Sequence, residues 1–283
     1  MSTNLKSKVL VLLVLCFTVI NIAYAQKPKF KVIAFYTGKN DQAHVSFVHE
    51  ANKKFPELAK KHNFSYDSTA NWNNLNAEFL AKYQVVLFLD TRPEEPKQRA
   101  AFETYIKNGG AWMGFHFAAF ALTPSAFKQD WDWYHNEFLG SGQYASNTWR
   151  PTSAILNVNK NHPATKKLPS QFKSQPNEWY RWEKDLQKNP DINILMSIDS
   201  TSFPLGTGPK AHEIWNSGYY PVVWSNKKYK MIYVNMGHND MDYEHKYNKF
   251  TTSLSQTFDN EIQIKMMIDG IMWLGMKDGK RKR

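Results

Sequence analysis

Three histidines in this sequence stand where short apolar runs give way to small or turn-forming residues. Imidazoles at such positions are equipped for metal ligation or for acid–base work. His116 closes the run 111–115 inside NGGAWMGFHFAA (108–119), after a Gly-Gly stop. Gly114, Ala118 and Ala119 around it permit a sharp turn with close backbone approach. His44 follows the turn TGKND (37–41), and His238 ends the stretch VNMGH (234–238). In an open parallel sheet the carboxyl ends of the strands are where ligands bind, so three strand-end histidines can converge on one crevice. No H-E-x-x-H spacing is present, so a metal set would rest on fold placement and not on a local motif. Each histidine also has a plain structural reading. His116 fits a core position satisfied by backbone, His44 a helix N-terminus, and His238 a strand end whose neighbours Asn239 and Asp240 cap a turn. His49, His62 and His135 lie in helical patterns and read as surface or packing residues, and His162 before Pro163 reads as part of a turn.

The elements that must position these residues alternate along the chain. Residues 30–36 are an apolar run rich in strand formers, and 43–62 carries helical spacing through Phe47, Val48, Phe55 and Leu58, interrupted by Pro56. Residues 64–68 alternate like a strand, and 75–82 read as a short helix. The run VVLFLD (85–90) suits a central parallel strand buried on both faces. An amphipathic helix over 94–108 ends at Gly109 and leads to the strand 111–115. This alternation predicts a doubly wound α/β sheet. The second half is less regular. It reads as a helix at 130–139, a Gly-, Ser- and Asn-rich loop at 140–150, and strands at 153–158, 192–198, 213–215, 221–224 and 230–235. Turns fall at 159–163 and 201–209. A closing helix at 258–276 carries Ile262, Met266, Met267, Ile271 and Leu274 on its buried stripe. With no linker, repeat or low-complexity segment, one domain over 26–276 is expected.

Lys6 and Lys8, the apolar run 9–20 and the following NIAYAQ (21–26) have the form of a secretory signal cut after Ala25. The run is short for a membrane span, and the mature chain is expected to have none. Cys16, the one cysteine of the 283 residues, would leave with the leader, and Leu15 before it argues against lipoprotein processing. A cysteine-free mature chain suits an oxidising compartment, secreted or periplasmic, and relies on its core for stability. The formal net charge of +11 is concentrated partly in the leader and in the tail 277–283, which ends KRKR. The remaining basic residues are mixed with acids and form no stripe interleaved with aromatics, which argues against nucleic acid as a partner. The 10 Trp, 14 Tyr and 18 Phe exceed ordinary core needs and tilt toward a sugar-handling surface.

In order along the chain, VIAFYTGKNDQAH (32–44), VVLFLD (85–90), AAFETYIKNGGAWMGFHFAA (100–119), NHPATKKLP (161–169), EWY (178–180) and NMGHN (235–239) together resemble the trehalose-utilisation (ThuA-like) family of class I glutamine amidotransferase-like folds. The resemblance implies a Rossmann-like, flavodoxin-type, mostly parallel sheet. It singles out Glu178 as the carboxylate partner, so His116 and Glu178 become the catalytic candidates. His44, His116 and His238 become candidate ligands for one divalent metal, zinc or manganese, and Trp179, Tyr180 and Asn239 candidate substrate contacts. The same set also suits a metal-free acid–base cluster. Trp131, Trp133, Trp149, Trp179 and Trp182 serve either a sugar platform or the core. Amidotransferases of this fold use a cysteine nucleophile at the elbow. The mature chain has no cysteine, and residues 115–120 offer no serine or threonine, so that mechanism is excluded. Two positions depart from the family pattern: Phe120, where an acidic residue is frequent, and Tyr220-Pro221, where His-Pro is frequent.

The expected activity is that of a carbohydrate-utilisation enzyme acting on a small-molecule sugar, trehalose or a 3-keto or otherwise oxidised glycoside. A keto group acidifies the neighbouring C–H, which a histidine or glutamate base can then abstract. The chain lacks a clear acidic pair on glycosidase spacing. A non-catalytic periplasmic sugar-binding protein and a metal-dependent amidase or esterase-like hydrolase are the alternatives. A homo-oligomer is left open.

Overall fold

A computed structural model describes residues 27–39, 41–120, 131–147, 151–202, 220–239 and 255–276. The leader with its expected cleavage after Ala25, Trp149, Asp240, the strand expected at 213–215 and the tail 277–283 lie outside these residues. The chain begins with β1 (Lys31–Phe35), α1 (Gln42–His62), β2 (Ser65–Thr69), α2 (Ala77–Leu80), β3 (Val85–Phe88), α3 (Pro96–Lys107) and β4 (Ala111–Phe115). A 3-10 turn (His116–Ala119), a π-helix (Trp133–Phe138), β5 (Tyr144–Asn147), β6 (Ile155–Val158), β7 (Gln171–Lys173) and β8 (Tyr180–Trp182) follow. β9 (Ile192–Ile198), β10 (Tyr220–Asn226), β11 (Met231–Val234) and α4 (Glu261–Gly275) complete it.

Nine strands form one sheet in the order β2-β1-β3-β4-β11-β10-β9-β6-β7. The first five are parallel throughout, in the flavodoxin-type order that the family resemblance implies. The remaining strands continue the sheet antiparallel. The apolar runs are explained by what covers them. Val32, Ala34, Val85, Leu87, Met113 and Phe115 face a core filled by Phe47 and Phe55 of α1 and Met267 and Ile271 of α4. Ile33, Phe35, Val86, Phe88 and Trp112 face the opposite core, with Phe102 and Ile106 of α3 and Phe138. Successive side chains on a strand point to opposite faces, so a strand buried on both sides must be apolar at every position. Helix α1 passes through Pro56 and ends at Asn63, whose left-handed backbone (φ 59°) lets the following Phe64 N–H return to the Ala59 carbonyl at 3.1 Å.

Several local expectations change. The helix read at 75–82 is a 3-10 turn at Trp72–Asn74 followed by the single turn of α2, capped by Asn76. The helix read at 130–139 is a π-helix where it is described. Its carboxyl end is held by Trp224 Nε1 on Leu139 O (2.9 Å) and Asn226 Nδ2 on Glu137 O (3.0 Å). The loop read at 140–150 contains β5, which pairs antiparallel with β8 in a separate two-stranded sheet. β5, β7 and β8 are each only 3 or 4 residues long. Segments that short carry no periodicity and become strands only through a partner. No helix among the described residues is long and apolar enough to cross a membrane.

Candidate functional site

The parallel half of the sheet brings the carboxyl ends of β1, β4 and β11 to one edge, and each is followed by one of the three histidines. After β1 the chain turns into α1. Asp41 caps that helix, its Oδ1 accepting from Ala43 N at 2.8 Å, and His44 lies in the first turn. Asp90, beyond β3, secures the turn by accepting from Thr37 N (2.8 Å) and Gly38 N (2.5 Å). After β11, Gly237 adopts φ +129°, a conformation that favours glycine. A Cβ there would also press on the Phe47 ring at 3.3 Å.

His116 adopts φ +40°, left-handed for a residue with a side chain. Such backbone costs about 1–3 kcal/mol and persists only where surrounding structure imposes it. Here the Tyr233 hydroxyl donates to His116 O at 2.8 Å, and the Tyr180 ring packs 4.0 Å from the imidazole. The strained turn brings the imidazole against His44, His238 and Glu178.

The three imidazoles meet there. One ring nitrogen from each of His44, His116 and His238 lies within 4.8 Å of the others. Glu178 enters from the segment before β8, with its backbone N–H on His238 O at 3.0 Å. Its Oε2 is 3.3 Å from His116 Nε2 and 3.8 Å from His238 Nε2, while Oε1 accepts from Asn147 Nδ2. Asp41 Oδ2 approaches His238 Nε2 from the other side at 3.6 Å. Sequence reasoning places His44, His116, Glu178 and His238 at this crevice, and they do come together.

Burial holds His44 well below the usual imidazole range, and repulsion from His238 and His116 pushes the same way. Burial and His238 likewise hold His116 low. Both rings are therefore neutral near pH 7 and offer lone pairs, the state a metal ligand requires. Burial raises the Asp41 carboxyl, but the neighbouring His238 and His44 and the Ala43 N–H outweigh this and keep it well below the usual carboxylate range.

The electrostatics of His116 are incomplete as they stand. Its Nδ1 lies 3.4 Å from the Asn235 carbonyl, which can only accept, so the proton of the neutral ring is assigned to Nδ1. Nε2 then turns a lone pair toward the carboxylate of Glu178 at 3.3 Å. Two facing lone pairs repel unless a proton or a cation lies between them. His44 Nε2 is buried with no hydrogen-bond partner among the described residues. Neutral imidazoles, a carboxylate and an unmet ring nitrogen fit a borderline divalent ion such as zinc or manganese.

Two buried asparagines brace this set, and sequence reasoning missed both. Asn177 Nδ2 donates to Asn235 O (2.6 Å) and Glu178 O (2.7 Å), and its Oδ1 accepts from Gly237 N and His238 N, both at 3.1 Å. Asn235 exchanges bonds with the Tyr180 backbone in the same manner. Asp41, also missed as a site residue, reads in the sequence only as the end of the turn 37–41.

The substrate contacts expected from Trp179, Tyr180 and Asn239 are placed differently. Trp179 is 0% exposed, packed in the core on the α1 and α4 face, with Nε1 on Thr152 O at 2.6 Å. It presents no surface at the crevice. The signal was available: in an extended EWY segment Glu178 and Tyr180 share one face and Trp179 takes the other. Tyr180 lies against His116, buried. Asn239 is buried, donating to Pro176 O and accepting from Thr257, a structural arrangement. The half-buried aromatics beside the histidines are Phe117, 5.1 Å from His44, and Phe120, stacked on Phe117 at 4.6 Å and 4.8 Å from Tyr144. The departure at Phe120 thus supplies an aromatic face, and Tyr220 is a buried residue opening β10. His135 and His162 are buried and His49 is exposed. Trp131 and Trp182 are core residues.

Comparison with known proteins gives a consistent outcome. The sequence profile of the family described as ThuA, trehalose utilisation, matches residues 32–274. A ThuA-like protein from Bacteroides uniformis of solved structure is 34% identical, over 92% of this chain and 97% of that one, with a TM-score of 0.76. A ThuA-like protein from Parabacteroides merdae shares the fold at 18% identity, over 91% and 92% of the two chains, with a TM-score of 0.57. A glutamine amidotransferase from Thermotoga maritima aligns with 87% of this chain and 98% of its own at 10% identity and a TM-score of 0.45. No curated protein matches the chain.

Proposed function

The chain belongs to the ThuA, trehalose-utilisation family, and from that premise we propose that it is an enzyme acting on an oxidised sugar through His116 and Glu178, with one divalent metal held by His44, His116 and His238. The observation that carries this reading is the approach of three histidine nitrogens to within 4.8 Å of one another beside a carboxylate that faces the lone pair of His116. Those three histidines would hold the ion, zinc or manganese, and it would supply Lewis-acid polarisation of a substrate oxygen.

The chain's own residues supply the rest. Glu178 is 8% exposed, held at Oε1 by Asn147 with Oε2 beside His116 and His238, and serves as the base. With a keto-glycoside it takes the proton from the carbon next to the carbonyl. The C–H electron pair becomes a carbon–carbon double bond as the glycosidic C–O bond breaks. The leaving oxygen then receives the proton that Glu178 collected. In the hydrolytic variant the same carboxylate deprotonates water and returns that proton to the leaving oxygen. Phe117 and Phe120 offer aromatic faces on which the apolar C–H side of a sugar ring can rest. The leader form of the N-terminus supports a secreted or periplasmic setting.

The test is elemental analysis of mature protein purified without chelators, wild type beside His116→Ala, followed by turnover assays on 3-keto-glycosides, their unoxidised parents and simple esters. One metal per wild-type chain, lost in the variant, with keto-glycoside turnover that follows the metal, is the expected result. Metal-dependent ester or amide turnover would reassign the same residues to a hydrolase of those bonds. Sugar binding without metal or turnover would make the crevice a binding site and overturn the enzymatic reading.

A further inference from the structure

The fold sorts the lysines that are mixed with acids along the sequence. A parallel strand starts at the edge of the sheet opposite its ligand-binding end. The turns before β1, β2, β3, β4 and β11 therefore lie on the face away from the three histidines. β6 runs antiparallel to β9, and β9 runs in the direction of β11, so the turn after β6 joins them. That turn is held against Trp273 of α4 by His162 at 4.4 Å. Lys29 and Lys31 open β1, Lys61 and Lys82 precede β2 and β3, and Lys166 and Lys167 follow β6. All six are exposed, and none is paired with a carboxylate among the described residues. Lys107 and Lys228 join the row with Glu103 and Asp191 as partners, at 3.1 and 2.6 Å. The opposite edge carries Asp41, Asp90 and Glu178 instead.

Neighbouring strands are about 4.8 Å apart, so the row from β2 to β6 spans roughly 34 Å. That is far wider than a small anion and fits an extended polyanionic surface. A cavity of about 800 Å³ opens on the same face, bordered by Tyr83, Tyr105, Lys107, Tyr229, Lys230 and Met276. Met276, 48% exposed, is the one exposed large apolar side chain among the described residues. Residues 277–283, KDGKRKR, follow it and bring five basic side chains against one acid. Tyrosines and an exposed methionine set among lysines suit the boundary between lipid headgroups and acyl chains. The secretory form of the leader supports a setting beside such a surface and away from nucleic acid. We propose that this face docks on an anionic phospholipid bilayer, with the histidine crevice turned away from the lipid. The inference does not depend on the chemistry of the crevice.

Full-length mature protein is sedimented with vesicles of phosphatidylcholine alone and with vesicles holding about one-third phosphatidylglycerol. Wild type should bind only the anionic vesicles and be released by about 0.5 M sodium chloride. Each charge at such a surface is worth about fivefold in affinity. The triple variant Lys61→Gln, Lys82→Gln, Lys167→Gln should therefore bind roughly a hundredfold more weakly, while melting like wild type. No binding by wild type would overturn the proposal. Wild-type affinity in the triple variant, with binding lost on removal of 277–283, would move the contact to the tail and overturn the face as the docking surface. Equal affinity for duplex DNA, lost in the same triple variant, would make the face a general polyanion binder and overturn the assignment to lipid.

Discussion

Asn177 gives the sharpest test of how the site is held together. Its amide makes four bonds at 2.6, 2.7, 3.1 and 3.1 Å, joining the Glu178 segment to the Asn235–His238 turn, and the residue is 1% exposed. Replacing it with alanine strands the Glu178 carbonyl and two N–H groups in the interior and leaves the Asn235 carbonyl with His116 Nδ1 as its remaining partner. Each buried unmet group costs about 1–3 kcal/mol, and water entering the vacated space recovers part of this, so a loss of about 3–5 kcal/mol is expected. For a chain of this size that corresponds to a fall of roughly 10 °C in melting temperature. Asn177→Asp, the smallest change in shape, should be no better. It keeps the acceptor for Gly237 and His238 but sets an oxygen against two carbonyls at donor distance. The second readout is zinc affinity, which should fall at least tenfold because Glu178 and His238 lose their common brace. Equilibrium denaturation and calorimetric titration check the two quantities. An alanine variant within about 1 kcal/mol of wild type, with unchanged zinc affinity, would refute the bracing role.

Other predictions test neighbouring points. His116→Asn should leave stability within about 1 kcal/mol of wild type, since asparagine tolerates the left-handed backbone at φ +40° better, while metal content and turnover disappear. A large loss of stability would contradict the strain assignment. His162 is buried against Trp273 at 4.4 Å, with Nε2 unpartnered among the described residues, and burial lowers its pKa to about 4. The fold therefore prefers the neutral ring, so its contribution is complete above about pH 6.5 and is lost as pH falls from there toward 4. Replacement by asparagine, which can still accept from Ala164 N, should remove up to about 3 kcal/mol of acid destabilisation, and denaturation at several pH values reads it directly. Trp179→Ala should cost about 3–5 kcal/mol by denaturation. Phe120→Ala should instead be nearly neutral for stability and raise KM with little change in kcat. The reverse pattern would return the sugar platform to Trp179.

How much of the site was legible follows from the kind of signal each residue leaves. The three histidines could be found because each stands at the end of an apolar run or just past the turn that follows one, and the carboxyl edge of a parallel sheet is a place any such run defines in advance. Glu178 came from the resemblance of its EWY segment, and alternation within that segment would also have turned Trp179 inward. Asp41 reads only as the end of the turn 37–41 and not as a neighbour of His238, because the two are joined only when β1 and β11 lie in one sheet. Asn177, Asn235 and Asn147 left no signal at all. An asparagine in a loop reads as a turn former, and its bonds reach 58 residues between Asn177 and Asn235 and 31 between Asn147 and Glu178.

By itself the sequence determined the parallel half of the sheet, the helices that cover it and the edge on which chemistry collects. These depend on local periodicity and on which stretches must be buried. Tertiary structure alone decided the pairing of β5 with β8, the antiparallel extension, the orientation of Trp179 and the polar bracing of the crevice. Those features are made by contacts between residues far apart in the chain, whose side chains have several equally good local partners until packing removes all but one.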